Sequence, residues 1–174
     1  MKKLFFIFIS LIIFQAGAVV SISDEKLRSI EDNWLKLAPE GTYDFVTENL
    51  DYKTYMSEDF QKRLEEAEKI LNPKMENAFI ELAGFMVPVE KINAKVSKFL
   101  LVPVAGQCIH VPAPPLNQTI LVDLEGETTE EVDIYFPILV TGKLKVGSQS
   151  FDVADSGYTL YNATVDILDL KDNE

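Results

Sequence analysis

At Ala78 the spacing of apolar residues changes from three-or-four to two, and that switch limits what this chain can become. Ahead of it lie two helical patterns. Leu27, Ile30, Trp34 and Leu37 share one helix face, behind an acidic start at Ser23-Asp24-Glu25 and before a stop at Pro39. The second helix opens at Ser57 as N-cap, with Glu58 and Asp59 in its first turn. Phe60, Leu64, Ala67 and Leu71 form its buried face, and Asn72-Pro73 ends it. Lys62, Arg63, Glu65, Glu66 and Lys69 make its opposite face a solvated surface.

Beyond Ala78 the runs read as strands: Ala78 to Val89, Phe99 to Val102, Ile120 to Val122, Pro137 to Val146, and Tyr158 to Leu168 entered through Ser156-Gly157. Turn signals separate them, as in a small barrel or sandwich. Gly84 and Gly142 sit inside strands, where glycine marks bulges or tight bends. They favour a strongly coiled, five-stranded barrel of the oligonucleotide/oligosaccharide-binding (OB) type over a flat sandwich. The fold class is therefore mainly β with N-terminal helices (α+β). The link from Asn72 to Asn77 is too short for two independent domains. One domain over 19–174 is expected, with a helical part at 24–72 and an OB-like barrel at 78–168.

Residues 1–18 stand apart. Lys2 and Lys3 precede an apolar run from Leu4 to Phe14, and Ala16 and Ala18 form an Ala-x-Ala-like cleavage site. That is a secretory signal peptide, cut after Ala18. The apolar run is shorter than the roughly 20 residues a membrane helix needs. The mature chain is thus expected in the periplasm or secreted, without an integral membrane segment. The formal net charge is −12, which disfavours nucleic-acid backbones and anionic lipid surfaces as partners.

Export sharpens the question of the single cysteine. Exported proteins use cysteines in disulfide pairs, and Cys108 has no partner in the chain. It lies two residues from the sole histidine, His110. In an extended backbone both side chains point to one face. Thiol and imidazole together suit a soft or borderline metal ion such as zinc. Further ligands by type are Asp152, Asp155, Glu90 and Asn117, none at a diagnostic spacing. The residues equally allow Cys108 as a packed core residue and His110 bonded to a turn carbonyl. Nucleophilic catalysis is the weakest use, because a thiol nucleophile and its base usually come from separate elements.

Pro112, Pro114 and Pro115 fix φ and remove backbone donors, so this loop is stiff and cannot be a central strand. Asn117 can cap it. A stiff loop could equally serve a partner protein. The acidic stretch Glu125, Glu127, Glu130, Glu131 and Asp133 reads as a solvated hairpin loop. Asn117-Gln118-Thr119 and Asn162-Ala163-Thr164 match the glycosylation acceptor pattern.

Several segments together resemble the bacterial exported family designated domain of unknown function 3299 (DUF3299). They are Phe99 to Pro103, then Gly106-x-Cys108-Ile109-His110-Val111-Pro112-x-Pro114-Pro115-x-Asn117-Gln118. Gly84 to Val89, Val140 to Leu144, Ser156 to Leu160 and Trp34 to Pro39 fit the family as well. Val104 to Gln107, Ala113 and Leu116 depart from its aromatic lead-in and unbroken proline run. The resemblance implies a periplasmic accessory protein, working beside ABC transporter components. Its expected role is to bind zinc through Cys108 and His110; the alternative is a non-metal interaction module using the proline loop.

Overall fold

The computed structural model describes residues 19–20, 22–106 and 114–168. Its first helix, α1 (Asp24–Leu35), begins at the expected acidic start, with Ser23 Oγ accepting from the Lys26 amide. Ile30, Trp34 and Leu37 are buried, as the three-to-four spacing requires. A single turn, α2 (Tyr52–Tyr55), starts on Asp51 and leads into α3 (Glu58–Ala67). Ser57 caps α3 through the Phe60 amide. Phe60 then packs edge-on against Phe45 at 5.3 Å, and the Arg63 guanidinium lies 4.2 Å over the Phe45 ring. Ser57→Ala should therefore cost about 1 kcal/mol in chemical denaturation. A loss below the error of the melt would show that this cap carries no stability.

α3 stops short of Leu71, where its apolar pattern runs on. Backbone groups that would extend the helix are used elsewhere. The carbonyls of Ala67, Glu68 and Ile70 accept from Asn117, and the Asn72 amide bonds Leu37 O and Tyr158 Oη. Tertiary hydrogen bonds end this helix.

The protein is mainly β. Its six strands, the first ahead of α1, are β1 (Val19–Val20), β2 (Phe79–Ile92), β3 (Lys95–Val102), β4 (Ile120–Asp123), β5 (Ile138–Ser150) and β6 (Asp155–Leu168). They form one sheet in the order β1-β6-β4-β3-β2-β5, and β5 also pairs with β6. The five strands β2 to β6 thus close a ring of pairs. All are antiparallel except β4 with β6. β1, unforeseen from sequence, adds in parallel to the end of β6.

Gly84 and Gly142 stand at two places where the pairing changes. Gly84 is the last β2 residue paired with β5, and Phe85 the first paired with β3. At Gly142 the β5–β6 register shifts, opposite Asn162 in the left-handed region. Both positions have no room for a side chain. A Cβ on Gly84 would stand 2.7 Å from Val102 O, and one on Gly142 2.9 Å from Tyr161 O.

The burial pattern explains why β3 and β4 read as unbroken apolar runs. Phe99, Leu101, Ile120 and Val122 face the main core with Met86, Leu144 and Leu160. Leu100, Val102 and Leu121 face the other way, and Phe151 and Ala154 from the β5–β6 turn pack over them. Both faces are covered, so alternation disappears. Each such fully buried side chain contributes about 1.5–3 kcal/mol.

Tyr158 ties the helical layer to the sheet. Its buried hydroxyl donates to Leu37 O and accepts from the Asn72 amide at 2.7 Å. Burial pushes its phenol up, partly offset by the Asn72 bond, so it keeps the proton it donates. Across the molecule, the acidic stretch lies against the β2–β3 hairpin. Glu131 pairs with Lys91 and Glu130 with Lys95, both at 2.5 Å, while Thr129 bonds Val96 through the backbone. Among the described residues no helix is long and apolar enough to cross a membrane.

Candidate functional site

The long connection between β3 and β4 was the sequence's candidate site. Cys108, His110 and Pro112 lie outside the described residues; both feet of their segment are described. The incoming foot runs from Pro103 to Gly106. Gly106 has φ of 75° and sits beside Tyr135, whose ring lies 3.9 Å from where a Cβ would be.

The outgoing foot is built more heavily. Pro114 is buried, and Pro115 leads into a 3-10 turn at Leu116–Gln118. Thr119 Oγ1 donates to Pro115 O at 2.9 Å, and the Gln118 amide group reaches Trp34 O at 3.2 Å. Asn117 is fully buried, and its side chain is wholly committed. Nδ2 donates to Ala67 O at 2.9 Å and Ile70 O at 3.1 Å, while Oδ1 accepts from the Tyr43 hydroxyl at 2.9 Å. Burial raises the Tyr43 phenol above its ordinary range, so it too remains a donor. Asn117 therefore clips the loop to the end of α3, and its glycosylation pattern is closed off by the fold.

The carboxylates named from sequence are divided between two places. Glu90 is exposed at the far end of β2, 3.4 Å from Lys98, which also approaches Asp123 at 3.6 Å. Asp152 and Asp155 are exposed in and after the β5–β6 turn. By register, Lys98 and Asp123 mark the end of β4, whereas Tyr158, three residues past Asp155, pairs with its first residue, Ile120. Glu90 and Asp155 thus stand at opposite ends of β4. The structure does not bring them together. Among the described residues, no group of three or more His, Cys, Asp or Glu side chains could hold a metal ion.

Beside the incoming foot lies a cleft of about 430 Å³ that sequence reasoning missed. Leu27, Glu31 and Trp34 of α1 form one wall, Ala83 to Phe85 of β2 another, and Pro103, Tyr135, Pro137 and Leu168 the rest. Trp34 is set by its indole N–H, which donates to Ala83 O at 2.8 Å. Gly84 makes room for it, since a Cβ there would be 3.1 Å from Trp34 Cζ2. Tyr135 and Phe136, at 61% and 60% exposed, are apolar residues that no core explains. That pair, inside a polar loop, was the signal available in the sequence.

Residues 34–167 match the family model described as Protein of unknown function (DUF3299). The crystal structure of a DUF3299 family protein from Pseudomonas aeruginosa PAO1 is similar, with a TM-score of 0.60 and 25% sequence identity. The likeness covers 90% of this chain and 100% of that one. Among curated proteins, none matches this chain.

Proposed function

This chain belongs to the DUF3299 family, and on that premise we propose that it is an exported accessory protein that binds a transition-metal ion. The reading places Cys108 and His110 as the ligand pair, zinc as the metal, and the periplasm as the compartment, in support of an ABC-type transport system. Its main support is the footing of the loop. The hydrogen bonds of Asn117 and Thr119 hold the outgoing end in one geometry. Of the carboxylates named as further ligands, the exposed Asp152 and Asp155 suit the site better than Glu90, which Lys98 already engages. Thiolate and neutral imidazole supply the soft donors that zinc takes. The order and sense of strand pairing support an OB-type ring as the scaffold. A cut after Ala18 would leave Val19–Val20 paired with β6.

The test is a titration of the reduced mature protein with Zn(II) against a competing chelator, beside Cys108→Ser and His110→Ala. One-to-one binding is expected, lost in both variants and weakening as pH falls, because protons compete for both ligands. Binding no tighter than in the variants would end the metal reading. A second reading, a non-metal module docking a partner by the proline-stiffened loop, is favoured by the exposed apolar side chains Val104, Tyr135 and Phe136 around its base.

A further inference from the structure

The cleft between α1 and β2 has one charged wall residue, Glu31, and three aromatic ones, Trp34, Phe85 and Tyr135. Positions 27, 31 and 34 share a helix face, so Glu31 stands one turn from Trp34 on the same side. Among the described residues Glu31 has no ion-pair partner. A neutral apolar ligand gains nothing from that exposed carboxylate. An anion would be repelled, both by Glu31 and by a chain of net charge −12. A bare metal ion would find one carboxylate among aromatic rings, far short of the oxygen shell it needs. A cation with an apolar body meets both demands. Its positive centre is attracted by the carboxylate and by aromatic faces, and its body covers the apolar wall.

We propose that this cleft binds an organic cation of the alkyl- or aryl-ammonium class, with Glu31 as its charge partner. The volume lies within the range of small-molecule sites. The proposal uses no atom of the cysteine–histidine loop and is independent of the metal reading.

Trp34 is the only tryptophan in the chain, so its emission reports directly on the cleft. The experiment titrates the mature protein with benzyltrimethylammonium, benzyl alcohol and phenylacetate, following fluorescence excited at the indole. A saturable one-to-one change with the cation is expected, with the neutral and anionic probes weaker by roughly tenfold or more. Glu31→Gln, an exposed substitution that leaves the fold intact, should weaken only the cation, by a similar factor. Phe85→Ala should weaken all three. No saturable change, equal binding of all three probes, or unchanged cation affinity in Glu31→Gln would each overturn the proposal.

Discussion

Asn117→Ala is expected to destabilise the protein by about 3 kcal/mol, a fall in Tm of roughly 6–12 °C. The side chain holds three hydrogen bonds at a fully buried position. Alanine leaves the Tyr43 hydroxyl and the Ala67 and Ile70 carbonyls without it. Tyr43 is half-buried and Ala67 buried, so those losses approach the desolvation cost of a polar group, whereas Ile70 is exposed and its carbonyl can turn to water. Asn117→Asp separates the donor from the acceptor role. It keeps an acceptor for Tyr43 but turns a carboxylate toward two carbonyls. Burial raises that carboxyl's pKa in the folded state, so its penalty is small in acid and grows as pH rises through the unfolded carboxylate range. Paired denaturant melts of both variants and wild type at acid and neutral pH test this. An alanine loss below about 1 kcal/mol would mean that water replaces the side chain at little cost.

Gly157→Ala is expected to cost about 3 kcal/mol, at the upper end for overpacking. A Cβ there would run into Leu71 Cδ2 and stand 2.5 Å from Leu116 O. The Leu71 methyl group can rotate away. The Leu116 carbonyl cannot, because its 3-10 turn is held by Asn117 and Thr119 on either side of Gln118. Repeating the substitution in a Leu71→Ala background distinguishes the two walls. Most of the penalty should persist there, measured as the difference between the double variant and Leu71→Ala. Full rescue would show that the methyl group was the obstacle and the turn yields.

Both positions show where sequence reading ran out. Asn117 was legible as a loop cap or a possible ligand, because asparagine bonds nearby backbone groups. Its partners lie about fifty and seventy residues earlier in the chain, at Ala67, Ile70 and Tyr43. No local pattern encodes them. Gly157 was read as the entry to the last strand, but β6 already begins at Asp155, and the reason for glycine is a neighbouring turn. Asp152, Asp155 and Glu90 were grouped by chemistry. The strand register separates Glu90 from Asp155, and register is a property of paired strands.

The elements themselves were local. Ser23 and Ser57 mark helix starts because a side-chain oxygen satisfies an amide three residues on, a contact contained in one turn. The five strands β2 to β6, the stop before Pro39 and the pairing changes at Gly84 and Gly142 follow from periodicity and backbone sterics, which act between near neighbours. Helix α3 ends early because distant groups claim its last carbonyls. The closure of β5 onto β6, the seat of Trp34 against Gly84 and the cleft beside Glu31 depend on contacts between remote segments. Those were decided only by the packed chain, since hydrophobic periodicity tells which face is buried but not which surface covers it.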